Sequence, residues 1–262
     1  MDLQKLTRQV CDLAIETSKF IKDENDRIRT SDIEIKGDHD FVTYVDKTSE
    51  TRIITRLSEI LPGSGFIAEE NPALETGDLT WIIDPLDGTT NFIHGVPLYC
   101  ISIGLMEQKE MIIGVIYEIN LKECFFTWKG APSYLNDNPI RVSSTKNLAD
   151  CLFATGFPYY DYRRIEPYLN FFKYMIKNTH GIRRLGSAAA DLAYVACGRF
   201  DGFYEYGLSP WDVAAGSLIV KNAGGVVSDF PGKEDFIFGK EIIATNYLVY
   251  KEFLNKFKEN FI

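Results

Sequence analysis

The sequence predicts a mixed α+β and α/β fold in which helices and strands pack in layers. Predicted strands and helices alternate through the second half of the chain, from residue 182 to residue 261, and such alternation favours layered packing. Three predicted strands in the first half, at about 99–106, 111–117 and 123–128, have short connections. Short connections predict antiparallel hairpins, so the first half adds an antiparallel sheet.

The first half begins with a long amphipathic helix, predicted over residues 3–28. The prediction rests on apolar side chains at helical spacing, namely Leu6, Val10, Leu13, Thr17 and Ile21. The other elements of this half are predicted as a strand at Ile33 to Ile35, a turn at Gly37 to Asp40, a helix from Thr43 to the Pro62-Gly63 stop, a buried strand at Phe66 to Ala68 and a loop from Ala131 to Pro139.

The second half is predicted to contain four helices and four strands. The helices are Glu166 to Lys177, Ser187 to Ala196, Trp211 to Asn222 and Leu248 to Phe261, and the strands are Ile182 to Leu185, Phe200 to Tyr206, Gly225 to Ser228 and Ile242 to Ala244. We place the seam between the halves at residues 140–150. It divides the chain into an N-terminal α+β half, 1–145, and a C-terminal α/β half, 146–262.

The composition excludes several classes of function. A formal net charge of −9 argues against a nucleic-acid partner, because nucleic-acid binding depends on basic side chains. No apolar run approaches the roughly 20 residues of a membrane span. The first residues lack the basic and apolar pattern of a signal peptide, which indicates a cytoplasmic protein. The five cysteines form no Cys-x-x-Cys pair, so neither a disulfide framework nor a zinc site is indicated.

The stretch from Trp81 to Asn91 contains the strongest candidate for a site. Trp81 to Ile83 is a short apolar run and predicts the end of a buried strand. Asp84 lies where we expect that strand to stop, because Pro85 cannot donate a hydrogen bond to a sheet. Asp87 follows across the expected turn, and a helical turn is expected at Thr89-Thr90-Asn91, since these residue types favour helix starts.

Two carboxylates and several backbone N–H groups would therefore point into one small volume. Carboxylate oxygens suit Mg²⁺, and a helix start suits phosphate. Gly88 would let the backbone approach a ligand closely. An ordinary Asp-Pro and Asp-Gly turn is the alternative explanation of the same residues.

Four more acids lie at predicted strand ends or helix starts. Glu69 and Glu70 follow a short strand, and Asp46 and Asp212 lie near the starts of two helices. Each has a structural alternative: solvated loop charges for the first two, and acids favoured by the helix dipole for the others. Together with Asp84 and Asp87 they form a set of six acids at positions where open α/β sheets build sites.

Two motifs identify a resemblance. The block from Trp81 to Asn91 has the pattern Trp-x-x-Asp-Pro-hydrophobic-Asp-Gly-Thr-x-Asn, and the block from Trp211 to Gly216, followed by the turn Ala223 to Gly225, has the pattern Trp-Asp-x-Ala-Ala-Gly and Ala-Gly-Gly. In both, the sequence resembles the inositol monophosphatase family, a group of Mg-dependent, lithium-sensitive phosphatases. The resemblance covers nearly the whole chain. It implies a five-layer αβαβα sandwich of the inositol monophosphatase and fructose-1,6-bisphosphatase type, Mg²⁺-dependent phosphomonoester hydrolysis and a homodimer.

The same resemblance implies roles for individual residues. Two to three Mg²⁺ ions would be held by Glu69, Asp84, the carbonyl of Leu86, Asp87 and Asp212. Asp46 and Thr89 would orient and deprotonate the attacking water, and Glu70, beside a weaker third ion, is grouped with these catalytic residues. Backbone N–H groups of Gly88 and Thr89 would hold phosphate oxygens. The N-terminal half would thus carry the metal and phosphate site, and the C-terminal half would complete it.

A pocket for a sugar-alcohol ring is implied at four further positions, Gly186, Ser187, Ala188 and Glu205. A plain helix start and a solvated strand end are the alternatives for these positions. A carboxylate at Glu205 can accept hydrogen bonds from ring hydroxyls, whereas adenine would need an aromatic or apolar platform. We therefore expect a polyol phosphate to be preferred over a nucleotide.

The predicted function is hydrolysis of a small polyol or sugar monophosphate, with myo-inositol monophosphate as the first choice. The alternatives within the same chemistry are 3′-phosphoadenosine 5′-phosphate, fructose 1,6-bisphosphate and histidinol phosphate. An alternative of another class is a non-catalytic binding protein that keeps the fold for contact with protein or RNA. Six clustered acids together with Thr89 argue against a bare scaffold, and the acidic balance argues against RNA.

Overall fold

A computed structural model describes residues 1–25, 33–37, 40–71 and 77–261, with only the backbone of 33–37 and 40–42. Residues 26–28 of the predicted first helix, and Asp38 and His39 of the predicted turn, lie outside the described residues. The helices are α1 (Leu3–Asn25), α2 (Tyr44–Ile60), α3 (Thr89–Ile93), α4 (Ile165–Asn178), α5 (Ala188–Ala196), α6 (Pro210–Asn222) and α7 (Tyr250–Asn260).

The strands form two large sheets and one small hairpin. They are β1 (Ile33–Gly37), β2 (Asp40–Thr43), β3 (Gly65–Ala68), β4 (Leu79–Asp87), β5 (Cys100–Glu107), β6 (Glu110–Glu118), β7 (Glu123–Trp128), β8 (Tyr134–Leu135), β9 (Asn138–Pro139), β10 (Leu152–Thr155), β11 (Gly181–Arg183), β12 (Gly202–Tyr206), β13 (Gly225–Ser228) and β14 (Glu241–Asn246).

The first large sheet has seven strands in chain order, from β3 to β9. Only its β3–β4 pair is parallel, and the other pairs are antiparallel, as the short connections predict. The second has five strands in the order β11-β10-β12-β14-β13. Its β10 pairs in parallel with β11 and β12, whereas β14 pairs antiparallel with β12 and β13.

Apolar cores between the sheets and helices hold them in five layers. On the outer face of the first sheet, α1 and α2 pack through a stripe that includes the predicted Leu6, Val10 and Leu13. Helices α5 and α6 fill the space between the two sheets. Helices α4 and α7 cover the outer face of the second sheet through Phe171 and Phe253. The predicted αβαβα sandwich is confirmed.

Several local predictions need correction. The predicted loop from Ala131 to Pro139 contains the hairpin β8–β9, which reverses at Asn136 and Asp137, both with positive φ. Strands this short carry no alternating pattern, so the two-residue turn was the only signal. Strand β10 was not predicted, and β2 begins within the predicted turn. None of the described helices has the length and apolar character needed to cross a bilayer.

Candidate active site

Strand β4 does not stop at Asp84, as the proline predicted, but continues through Pro85 to Asp87. Asp84 pairs with Ser102 and Asp87 with Cys100, so three steps along β4 oppose two steps along β5. In a regular strand, residues three apart face opposite sides of the sheet. The extra residue forms a bulge that turns both carboxylates to one side. A bulge, and not a turn, thus brings the two acids together.

Backbone and side-chain donors fix both of these carboxylates. Asp84 Oδ1 accepts from the backbone N–H of Leu86 at 2.9 Å. Asp87 Oδ2 accepts from Ser187 Oγ and from the backbone N–H of Ala189, both at 2.6 Å. Ser187 and Ala189 lie at the start of α5, so Asp87 joins the first sheet to the middle helix layer.

Helix α6 brings Asp212 to the same place. Asp212 lies in the first turn, where Oδ2 accepts from the backbone N–H of Ser209 at 2.6 Å in a capping box. Asp84, Asp87 and Asp212 each offer a carboxylate oxygen within 4.8 Å of the others. The Asp212 carboxylate can therefore cap α6 and belong to the acid cluster, because the capping hydrogen bond occupies only one of its oxygens. Three carboxylates at this spacing can hold a divalent cation.

Burial and mutual repulsion disfavour the charged forms of these acids. Burial raises the pKa of Asp87 to about 6, although Ser187 and Ala189 oppose the rise. Burial and the charge of Asp87 raise the pKa of Asp212 to about 7. Burial raises the pKa of Asp84 well above its usual range, and the charges of Glu69, Asp87 and Asp212 add to this. A bound cation would relieve this repulsion.

A second pair of residues lies beside the cluster. Thr89 Oγ1, in the first turn of α3, lies 3.0 Å from Asp46 Oδ1 and 3.0 Å from the carbonyl oxygen of Leu86. Asp46 is in the first turn of α2, where its Oδ2 accepts from the backbone N–H and the hydroxyl of Thr43. Burial raises the pKa of Asp46, and the bonds from Thr43 and Thr89 oppose the rise. The raised pKa makes this carboxylate a better proton acceptor than a solvent-exposed aspartate.

An outer cavity of about 240 Å³ opens above these groups. Glu69, Leu86, Gly88 and Thr89 line it together with the three clustered acids. Glu70 is not among its lining residues in the described part of the chain, and its backbone N–H donates to Glu50 Oε2 at 2.7 Å. The structure brings together all the predicted metal ligands, whereas a catalytic role for Glu70 stays a prediction.

An inner cavity of about 90 Å³ adjoins the outer one. The predicted substrate residues Gly186, Ser187, Ala188 and Glu205 all line it. Burial raises the pKa of Glu205, and the nearby Arg184 opposes the rise. The predicted helix start and strand end thus lie at one pocket with Asp87 and Asp212 on its wall.

Sequence reasoning missed several residues that line these cavities, among them two tyrosines and two charged side chains. Tyr159 and Tyr160 form an aromatic wall of the outer cavity, and Arg184 and Asp191 line the inner one. The two tyrosines lie in a segment without helical or strand periodicity, and so carry no pattern. Asp191 did carry a signal, because it is the single charged residue in the alanine-rich α5.

A larger cleft of about 840 Å³ lies elsewhere, between the β5–β6 turn and α6. Its lysines alternate with Glu107, Glu110 and Glu234, and Lys129 is paired with Glu110. Charges of both signs neutralise one another there. The acid cluster, and not this cleft, is therefore the candidate active site.

Comparison with known proteins points to one family. A family model described as the inositol monophosphatase family matches residues 2–260. An inositol-1-monophosphatase of Mesorhizobium japonicum is 38% identical over 248 residues, covering 94% of this chain and 93% of that protein. A Nus factor SuhB of Pseudomonas aeruginosa is 41% identical over 235 residues, covering 87% of each. The solved structure of the extragenic suppressor protein suhB from Bartonella henselae matches with a TM-score of 0.91 and 37% identity, covering 96% of this chain and 98% of that one.

Proposed function

We propose that this chain, which belongs to the inositol monophosphatase family, is a Mg²⁺-dependent phosphatase that hydrolyses myo-inositol monophosphate to inositol and phosphate. The observation that carries the proposal is the cluster of Asp84, Asp87 and Asp212 beside the Thr89–Asp46 pair. A scaffold has no use for buried acids that raise one another's pKa. A hydrolase that binds cations would use the acid cluster to hold the ions and the Thr89–Asp46 pair to activate water.

The donor set fits hard divalent cations. Asp84, Asp87 and Asp212, with Glu69 and the carbonyl of Leu86, would hold two to three Mg²⁺ ions, because Mg²⁺ prefers oxygen ligands. When bound, Mg²⁺ would offset the negative charge of the phosphate and make a nearby water more acidic. The family resemblance also implies inhibition by Li⁺ through competition for one of these positions.

The chain's own residues would orient the attacking water and take its proton. Thr89 Oγ1 lies within hydrogen-bond distance of Asp46 Oδ1, so a proton can pass from water to the threonine oxygen while the threonine proton moves to Asp46. Backbone N–H groups of Gly88 and Thr89 would hold phosphate oxygens. Phosphoryl transfer depends on such positioning more than on covalent chemistry.

Substrate choice is proposed from the inner cavity. The Glu205 carboxylate would accept hydrogen bonds from ring hydroxyls, and α5 would present Ser187 and Ala188 beside it. The wall formed by Tyr159 and Tyr160 is a specific observation in favour of the nucleotide alternative, since aromatic rings stack on bases. The substrate panel must therefore include 3′-phosphoadenosine 5′-phosphate.

The testing experiment is phosphate release from a substrate panel with Mg²⁺ or with a chelator. The panel comprises inositol monophosphate, 3′-phosphoadenosine 5′-phosphate, fructose 1,6-bisphosphate, histidinol phosphate and an aryl phosphate. We expect Mg²⁺-dependent turnover, with the highest kcat/KM for inositol monophosphate. Preference for the nucleotide would overturn the substrate assignment. No release from any substrate would support the non-catalytic alternative, which the relatives named Nus factor SuhB keep open.

We also propose a cytoplasmic homodimer, the assembly that the family resemblance implies. Light scattering of the purified chain should then give about twice the 29.8 kDa chain mass. A mass of one chain at micromolar concentration would contradict the homodimer.

A further inference from the structure

The inner cavity is the smaller of the two cavities at the site, with a volume of about 90 Å³. The outer cavity, at about 240 Å³, has the room for a phosphate and a ring, and both cavities share Asp87, Gly186 and Asp212 on their walls. A polyol phosphate whose phosphate lies at the acid cluster would therefore reach the inner cavity with its hydroxyl groups.

Besides Asp87 and Asp212, two further carboxylates line this inner cavity, and one of them has no role in the predicted site. Asp191 on α5 is 1% exposed and Glu205 on β12 is 7% exposed. Asp191 Oδ1 is buried and has no hydrogen-bond partner among the described residues. Asp191 and Ser187, the N-cap of α5, line the same cavity.

Buried acids elsewhere in the molecule are bound by the chain. Asp201 accepts from Ser143 Oγ and from the backbone N–H of Leu152. Glu118 accepts from the backbone N–H groups of Asn120 and Leu121. An acid with an unpartnered buried oxygen destabilises a fold, so its presence in an apolar helix calls for a partner that arrives from outside.

Arg184 lowers the electrostatic cost of placing the acids Asp191 and Glu205 in one cavity. It opposes the rise in pKa that burial and the charge of Glu205 impose on Asp191, and it also opposes the rise at Glu205. Arg184 Nη2 donates to the Tyr159 hydroxyl at 2.6 Å, which fixes the guanidinium at the cavity wall. Beyond Asp87 and Asp212, the inner cavity thus offers the carboxylates of Asp191 and Glu205 and one cation, a composition that suits hydroxyl donors and not a second phosphate.

We propose that Asp191 is a second hydroxyl-recognition residue, which accepts a hydrogen bond from a different ring hydroxyl than the one bound by Glu205. The inference rests on the proposed polyol phosphatase function and adds a specificity-determining residue to it. The occupant is a cyclic polyol monophosphate with at least two hydroxyls on the side of the ring that faces the inner cavity. Substrates without these hydroxyls gain nothing from Asp191.

The test compares Asp191→Asn and Asp191→Ala with the wild type on inositol monophosphate, its single-deoxy analogues and an aryl phosphate. We expect kcat/KM on inositol monophosphate to fall roughly tenfold or more, chiefly through KM, because hydrogen bonds to charged groups are the strong ones. The value on the aryl phosphate should stay within about twofold, the change expected when no hydrogen bond is lost. Glu166→Gln, an exposed first-turn acid on α4, is the matched control and should change neither value.

The deoxy analogues separate recognition from positioning. On the analogue that lacks the hydroxyl bound by Asp191, wild type and Asp191→Asn should have the same kcat/KM. On a different analogue, which lacks the hydroxyl bound by Glu205, wild type and Glu205→Gln should have the same kcat/KM. Equal losses on all substrates, or one analogue on which both variants match the wild type, would show that Asp191 only supports Glu205 and would overturn the proposal. Failure of the wild type to hydrolyse any panel substrate would instead contradict the proposed function.

Stability supplies an independent measurement. Alanine suits the alanine-rich α5 and removes a buried acid, so Asp191→Ala should melt at the same or a higher temperature than the wild type. A lower melting temperature would show that Asp191 is retained for the fold, and would overturn its assignment to substrate. If Asp191→Asn does not fold, Asp191→Ala carries the kinetic comparison.

Discussion

At the scale of single residues, several acids of this site have a structural and a chemical contact at once. Asp46 and Asp212 each use one oxygen to cap a helix. The other oxygen of Asp46 accepts from Thr89, and Asp212 lines the cavity. The helix-capping role and the proposed functional role, which the sequence left as alternatives, are compatible in one side chain. Thr89 also has two contacts, because its hydroxyl lies within hydrogen-bond distance of both Asp46 and the Leu86 carbonyl.

The hydroxyl of Thr89 can be tested apart from its methyl group. In the proposed mechanism Thr89→Ala removes the atom that connects water to Asp46, so kcat should fall by roughly 10²- to 10⁴-fold, the usual range for general acid–base catalysis. Thr89→Ser keeps the oxygen and should retain activity within roughly tenfold, because the same hydrogen bond can form. Steady-state kinetics at saturating Mg²⁺ measure both variants. Equal kcat for alanine and serine would exclude the proton path through Thr89.

At the scale of elements, the site depends on how closely α6 packs against the first sheet. Gly104 on β5 and Gly114 on β6 are paired neighbours beneath the helix. A Cβ at Gly114 would lie 2.6 Å from the backbone oxygen of Ala215, whereas at Gly104 the nearest atom, also at 2.6 Å, is the mobile end of Met111. The backbone of α6 cannot yield without moving Asp212, while a methionine tip can.

Gly114→Ala should therefore destabilise the protein more than Gly104→Ala. Overpacking against a backbone typically lowers the free energy of unfolding by about 1–3 kcal/mol, and we expect Gly114→Ala to reach or exceed this range. Gly104→Ala should fall below it. Urea unfolding followed by circular dichroism measures both free energies. The same loss in the two variants would show that α6 is free to shift.

Some helices and strands could be predicted from the sequence alone, and others could not. Long amphipathic helices such as α1, and buried strands with short connections such as β5 to β7, follow from periodicity and were predicted closely. The continuation of β4 through Pro85 was not, because a bulge depends on the partner strand, which a local pattern does not contain. Tyr159 was missed for a related reason: its place at the pocket is set by tertiary packing.

At the scale of the whole molecule, the acid cluster and the neighbouring Asp46 draw on three of the five layers. Asp46 comes from the outer helix layer, Asp84 and Asp87 from the first sheet, and Asp212 from the middle helices. Folding must therefore bring several like charges into one place in a chain that already carries a net charge of −9. The stability of the metal-free protein should respond to anything that neutralises them, whether protons or a cation.

The pKa shifts of the buried acids predict how the stability of the metal-free protein changes with pH. The folded protein raises the pKa of Asp87 to about 6 and that of Asp212 to about 7, above the usual value of 3.8. Asp84, Glu205 and Asp191 shift in the same direction. Between about pH 4 and 7 the folded state then binds more protons than the unfolded state, so its stability is highest below this window and is lost as pH rises through it.

In chelator, the melting temperature of the wild type should fall as pH rises from 5 to 8. Asp212→Asn removes one of the repelling charges and should make this decline shallower. Excess Mg²⁺ should reverse the decline, because an ion that binds only the folded site at a hundred times its Kd adds roughly 2.7 kcal/mol. Scanning calorimetry of both proteins across this pH range, with chelator and with Mg²⁺, measures all three effects. Curves in chelator that are flat with pH, or that superimpose on those in Mg²⁺, would mean that the clustered carboxylates neither repel one another nor bind the cation.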